Sequence, residues 1–355
     1  DETRTWGPPF DEAGMASYFA GINRNKRTVC LDLGMQQGRE VLMQLLGDAD
    51  VLIENFKIGT LERWGIGHDQ TMRERFPRLI HCRVSGFGAN GPLGGAPGYD
   101  AVAQALGGLM SVNGTPDTGA LRVGVPVVDI ATGLSAVIGV LLAVIERQRS
   151  GRGQFVEATL YDTAVSLLHP QSANWLQSGQ TPTLSGNAHS NIVPYDKFPT
   201  QTCEVFLGIG NNGQWKKLCE FLGRPELAEE PRFATNADRL QHRDALRALL
   251  EEHLLKVDGE WLCQELLAAG IPAGAVRTVP QVLTAPHTLH RDMVVQVEGM
   301  SGIGIPVKLS RTPGRAHSAP PRFGQHTREL LLEHGYGVAT IDALIARGTV
   351  QQAAA

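Results

Sequence analysis

An α/β fold with a mostly parallel, helix-covered sheet is predicted for this 355-residue sequence. Three observations carry that reading. Short β-rich runs alternate with helix-patterned runs through the first half, the pattern of a parallel sheet whose crossovers are helices. The composition, 42% hydrophobic and 19% charged, is that of a chain that folds rather than one that stays disordered. The 41 Gly and 20 Pro mark many tight turns, and the length suits two domains rather than one core.

Taken in order, Thr28–Leu33 (TVCLDL) is a strand candidate, and Gln37–Leu46 places Val41, Leu42, Leu45 and Leu46 at helical spacing. Ala49–Glu54 reads as a strand, Thr60–Trp64 as a short helix and Leu79–Val84 as a third strand. Tyr99–Met110 reads as a helix, Leu121–Val128 as a strand-like run and Ile130–Gln148 as a long apolar helix. The apolar run Ile130–Ile145 is shorter than the about 20 residues of a bilayer span, which predicts a buried core helix. Gln154–Leu160 follows as a strand, with a helix from Asp162 that stops at Pro170. The polar, breaker-rich Gln180–Asn191 reads as a linker or mobile loop. Beyond it a smaller unit is predicted, with a strand at Glu204–Ile209 and helices near Gly213–Leu222, Asp238–Leu255 and Glu260–Ala269. Ala285–Arg322 is loop-like, and Gln325–Gly335 is helical.

A net charge of −4 provides no basic field, so neither nucleic acid nor an anionic membrane is an expected partner. Anionic ligands then need locally placed cations, and Arg63, Arg83, Lys57 and the pair Lys26-Arg27 are candidates for phosphate, or else solvated surface charges. Cys30, Cys82, Cys203, Cys219 and Cys263 are odd in number and widely spaced, which argues against a disulfide framework or structural zinc and for a reducing compartment.

Asp129 is the only charged residue between Val123 and Ile145, at an expected strand-to-helix junction. There the free amides of the first helical turn would favour its ionised form, and open α/β sheets place ligands at such strand ends. Helix N-cap and nucleophile are both open to it. Asp162 occupies a more polar junction and reads as a plain N-cap. Gly208-Ile-Gly210-Asn-Asn-Gly213 matches a dinucleotide fingerprint by spacing, but Glu229 and Glu230 downstream lie outside any strand, so a tight strand–helix turn is the better reading. His287 and His290 form an HxxH pair without a third ligand, and no metal site is expected.

The segments DETRTWGPPF, NRNKRTVCLDL, ADVLIENFKIG, SGFGANGP, GYDAVAQALGGLMS, VVDIATGL, RQRSGRGQ and FGQHTREL occur jointly and in this order. With them the chain resembles the family III CoA-transferases, a group that includes formyl-CoA transferase, carnitine-type CoA-transferases and α-methylacyl-CoA racemases. DETRTWGPPF, SNIVPY and GIGNN are most similar to the succinyl-CoA–glutarate, or dicarboxylate, branch.

The resemblance implies a Rossmann-like large domain, a smaller α+β domain and a homodimer of interlocked rings. It implies a large CoA-binding domain over 1–182, a loop over 183–195, a small domain over 196–294 and a return linker with the C-terminal part of the large domain over 295–355. It also implies a segment upstream of Asp1 that supplies the first strand. The family's catalytic aspartate falls on Asp129, which would pass through a mixed anhydride and an aspartyl-CoA thioester, with helix N-terminal or glycine-loop amides for the oxyanions. CoA would lie along Leu31, Asn55, Phe56, Lys57 and Arg63, with Tyr99 near the thioester. The family's mobile glycine loop corresponds to Gly186–Asn191, with His189 and Asn191 as substrate-contact candidates. Racemases of this fold carry His where this chain has Tyr99 and Glu where it has Asn212, which favours transfer over racemisation. The implied activity is transfer of CoA from an acyl-CoA such as succinyl-CoA to a small dicarboxylic acid; the alternatives are a racemase-type enzyme or a catalytically silent CoA-binding protein. Acyl-CoA and carboxylic acids are the expected small-molecule partners, with coenzyme A thioester as substrate and no permanently bound cofactor. The implied location is bacterial cytoplasm or mitochondrial matrix.

Overall fold

A computed structural model describes residues 1–353 of the chain. Three strands, Val51–Glu54, Ile80–Ser85 and Phe155–Thr159, form a parallel sheet in that order. Their β-branched and apolar residues favour the extended, pleated backbone. The register sets Glu54 beside Arg83 and Arg83 beside Glu157.

The helix Val127–Ser150 packs on the sheet through its small residues. A Cβ on Gly139 would stand 2.8 Å from Val156 Cγ1, so only glycine permits this approach. Thr132, Ala136 and Ala143 complete the buried stripe. The opposite stripe, including Leu134, Val137, Ile138, Leu141, Leu142 and Ile145, is exposed, Leu134 to 62%. The expected buried core helix is therefore overturned in the single chain. Its sequence is apolar all round, yet only the small-residue side meets the chain's own sheet. By length and apolarity alone the helix would also suffice to cross a membrane.

The expected strand over Leu121–Val128 does not form. Gly124 and Pro126 interrupt it, and Val127 and Val128 already belong to the long helix. Ahead of it, Gly114–Thr115 and Gly119–Ala120 form a small hairpin. Ala285–Arg322 is not wholly loop: it holds the helix Pro286–His290 and the hairpin Val294–Val297 with Met300–Ile303. The predicted helix over Asp238–Leu255 is two, broken at His242.

Asp162 is not a cap. The cap of Leu160–Ser166 is Thr159, whose hydroxyl accepts the Asp162 amide at 3.0 Å. The GIGNNG segment is a strand–helix turn, as read: Glu204–Gly208 ends there, and Asn211 caps the helix Asn212–Phe221.

A second core gathers Phe198, Leu207, Trp215, Leu218, Leu246, Leu250 and Leu262 around the antiparallel strands Tyr195–Pro199, Glu204–Gly208 and Ala273–Ala275. Fully buried Arg239 ties it together, donating to Val193 O at 2.6 Å, Phe233 O at 2.9 Å and Asn212 Oδ1 at 2.9 Å. At the other end, Leu331, Ile341, Leu344 and Val350 pack on Val41, so the C-terminal helices close over the first part of the chain.

Candidate functional site

Asp129 lies in the first turn of the long helix, on the side open to solvent. It does not cap that helix. The cap is supplied by Asp100, buried at the start of the helix Asp100–Leu106. Asp100 Oδ2 accepts the amides of Val128 at 2.8 Å and Asp129 at 3.2 Å. Its Oδ1 accepts the Gln104 side-chain amide at 2.5 Å, and Gln104 Oε1 accepts the Val123 amide at 2.8 Å. One buried carboxylate thus fixes both ends of the segment that delivers Asp129.

Two sequence expectations about Asp129 are reversed. The first-turn amides do not stabilise its ionised form, because Val127 donates to Val125 O, Val128 and Asp129 to Asp100, and Ile130 to Pro126 O. Its pKa is instead raised, first by desolvation from the protein packed on its inner side and then by the Asp100 charge. The same engagement removes these amides as oxyanion donors. The Asp129 side chain itself makes no hydrogen bond or ion pair among the described residues. A carboxylate unneutralised, partly desolvated and free of partners is chemically suited to nucleophilic attack.

Tyr99 directly precedes Asp100 and is 60% exposed. Leading up to it is the glycine-rich loop Gly86–Gly98, pinched where a Cβ on Gly86 would lie 2.9 Å from Gly98 Cα. Only glycine pairs allow backbones this close. Within this loop, Gly95 neighbours Ile58, a Cβ there lying 4.0 Å from the Ile58 Cβ. That contact brings the loop Asn55-Phe56-Lys57 alongside. Asn55, Phe56, Lys57 and Arg63 are exposed and lie on one turn, since Thr60 N donates to Lys57 O at 3.0 Å and Arg63 Nη2 to Thr60 Oγ1 at 2.9 Å. Phe56 packs edge-on against Trp64. Arg83 differs from both of its expected roles: it is neither a phosphate ligand nor a surface charge but a buried guanidinium paired with Glu54 and Glu62.

Other expected site residues stand apart. Leu31 belongs to a short ladder of Cys30–Leu31 with Val350–Gln351, outside the parallel sheet. Gly186, in the left-handed region, donates its amide to Gly114 O at 2.8 Å. His189 Nδ1 accepts the Asn191 amide at 3.0 Å, and Asn191 pairs with Asn174. This loop lines a cleft of about 990 Å³ with Asn174, Lys197, Arg243 and Arg247, and Asp129 is not among the cleft's walls. His287 and His290 lie on one short helix, ring centroids 6.4 Å apart. Among the described residues no group of three or more His, Cys, Asp or Glu is gathered for a metal.

The residue that sequence reasoning missed is Asp100. Its one signal was position, an Asp opening a predicted helix immediately after Tyr99 in GYDAVAQ.

Residues 1–327 match the family described as CoA-transferase family III. The chain is 36% identical to the succinate–glutarate CoA-transferase of Agrobacterium fabrum, over 94% of this chain and 86% of that protein. It is 35% identical to the succinyl-CoA:mesaconate CoA-transferase of Haloarcula marismortui, over 94% and 87%. The crystal structure of a CAIB/BAIF family protein from Brucella suis superposes with a TM-score of 0.83 at 39% identity, covering 94% of this chain and 89% of that one. The chain is an enzyme of CoA-transferase family III, as the resemblance implied.

Proposed function

We propose that this CoA-transferase moves CoA from succinyl-CoA to a small dicarboxylic acid, with Asp129 as the covalent nucleophile. The observation that carries the reading is the Asp129 carboxylate, partnerless and held at the head of an apolar helix by the buried Asp100 cap. The dicarboxylate acceptor is supported by the names of the Agrobacterium and Haloarcula relatives.

In the first step the Asp129 carboxylate attacks the thioester carbonyl, and collapse of the tetrahedral adduct expels CoA thiolate and leaves a mixed anhydride. The thiolate then attacks the aspartyl carbonyl, the donor acid departs as its carboxylate, and an aspartyl-CoA thioester remains. The acceptor carboxylate attacks that thioester, again expelling thiolate and forming a second anhydride. The thiolate attacks the acceptor's acyl carbonyl, giving the new acyl-CoA and free Asp129. Each step exchanges one acyl bond for another, which is how covalent catalysis divides a hard transfer. Since the first-turn amides are engaged, we assign the oxyanion donors to the glycine-rich Gly86–Gly98 loop.

CoA is placed along Asn55, Phe56, Lys57 and Arg63, with Leu31 and Tyr99 completing its path; Lys57 and Arg63 face no carboxylate partner among the described residues and suit phosphates. Gly186, His189 and Asn191 are placed beside the acceptor, the loop moving from its present contacts with Gly114 and Asn174. No resident cofactor or metal enters this scheme. The large and small domains are divided as the resemblance implies. A second copy of the chain covers the exposed apolar stripe of the long helix, giving a homodimer. The five unpaired thiols fit a reducing location, bacterial cytoplasm or mitochondrial matrix.

The test incubates the purified enzyme with succinyl-CoA and a panel of free acids and detects new thioesters by mass. Asp129→Ala is expected to fold and to lose transfer entirely. Substantial remaining transfer would remove Asp129 from the chemistry.

A further inference from the structure

We propose that Arg83 is a positioning residue, a buried guanidinium that locks the turn Asn55–Lys57 and the following Arg63 into one frame for the phosphates of CoA. The inference rests on the placement of CoA given above. It starts from the register of the parallel sheet, which sets Glu54, the last residue of its strand, beside Arg83.

The Glu54 side chain is 2% exposed and turns back over its own strand end. Its Oε2 accepts the Phe56 amide at 2.8 Å, and its Oε1 accepts Arg83 Nε at 2.5 Å. The other end of the guanidinium, Nη2, donates to Glu62 Oε1 at 2.8 Å. Glu62 immediately precedes Arg63 in the short helix Thr60–Arg63. One planar fork therefore ties the strand end that shapes the turn to the helix that carries the next cation. Arg does this where Lys does not, because its donors are fixed in a plane and point two ways.

Charge supports the same reading. Without Arg83, two carboxylates would stand beneath a site for anions. With it, burial that would raise the Glu54 pKa is outweighed by the His81 ring 3.5 Å away, by Arg83 and by the Phe56 amide, and the carboxyl is held below its usual range. Glu62 is likewise lowered, its burial outweighed by Arg83. The pair stays ionised and bound to Arg83 instead of reaching for Lys57 or Arg63, leaving those two for phosphate.

The experiment compares Arg83→Lys, Arg83→Gln and Glu54→Gln with Lys57→Ala and Arg63→Ala. CoA binding is measured by calorimetry, and kcat/KM is measured with succinyl-CoA and with succinyl-pantetheine, which lacks the nucleotide. Arg83→Lys keeps the positive charge and Glu54→Gln the side-chain volume, so they report even where Arg83→Gln does not fold. The expected result is a Kd for CoA raised about tenfold in both, with kcat/KM for succinyl-pantetheine within about twofold of the parent enzyme. Equal losses with both thioesters would make Arg83 merely structural and overturn the proposal. Parent-like CoA binding in the Arg83 and Glu54 variants, with weakened binding in Lys57→Ala or Arg63→Ala, would overturn the positioning role and leave the CoA placement standing. Unchanged binding in all five would remove both.

Discussion

Replacing Asp100 tests the central geometric statement, that a buried carboxylate outside the long helix both anchors its start and tunes Asp129. Alanine at this position strips the acceptor from the Val128 amide at 2.8 Å, the Asp129 amide at 3.2 Å and the Gln104 side chain at 2.5 Å. A lost N-cap costs about 1 kcal/mol, and each of the two buried donors, the Val128 amide and the Gln104 side chain, left without an acceptor about 1 kcal/mol more, so Asp100→Ala should destabilise by about 3 kcal/mol. With a urea slope of about 3 kcal/mol/M for a chain of this size, the unfolding midpoint falls by about 1 M. Asparagine keeps one acceptor oxygen and should cost about 1 kcal/mol.

The same substitution has a pH signature. The folded-state pKa of Asp129 is raised, first by desolvation and second by Asp100, so its protonated, non-nucleophilic form persists to higher pH than in an ordinary aspartate. The stability linked to this group is accordingly present below its unfolded value and lost as pH rises through the folded one. Asp100→Asn removes the second cause and leaves the first. The acid limb of the transfer rate should therefore move to lower pH without reaching that of a solvent-exposed aspartate. Urea unfolding and a pH–rate profile on the same preparations decide the matter. An unchanged midpoint in Asp100→Ala would show that the helix start is held by something else, and an unmoved acid limb in Asp100→Asn would break the electrostatic link.

Arg239→Met removes a buried guanidinium from four acceptors and should cost about 3 kcal/mol by thermal or urea unfolding, with Arg239→Lys failing to restore it because an ammonium lacks the fork. Leu134→Glu with Leu141→Glu puts charge on the exposed apolar stripe; on the proposed homodimer, sedimentation should report a dimer for the parent and a monomer for the variant, and a dimer of parental affinity would place the interface elsewhere. Burial pushes the Cys219 thiol up to about 12 and that of Cys263 to about 11, so neither should be alkylated by iodoacetamide at neutral pH in the native protein, while both should react in denaturant.

Much of the fold and of the catalytic candidate was legible in the residues. The strands Val51–Glu54, Ile80–Ser85 and Phe155–Thr159 and the helix Gln36–Leu45 lie within a few residues of their sequence-based limits, because hydrophobic periodicity is local information. Asp129 stood out for a similar reason: a lone charge in an apolar run is conspicuous without any partner. The turn at Gly208–Gly213 was legible too, since a capping Asn beside glycines specifies its own geometry.

What sequence did not disclose were relationships between residues far apart along the chain. Asp100 caps a helix that begins 27 positions later, and no local rule pairs a helix start with a carboxylate on another helix. Arg83 read as a free cation because its two carboxylates, Glu54 and Glu62, come from another strand and a short helix, joined to it only by sheet register. The long helix read as core because composition counts apolar residues without saying which side meets the sheet; the close fit at Gly139 turns the small residues inward and leaves the large ones outside. Local pattern thus determined the elements and the candidate carboxylate. Tertiary packing decided that carboxylate's ionisation, its support and the surface left uncovered, because burial, charge pairing and register exist only once distant segments meet.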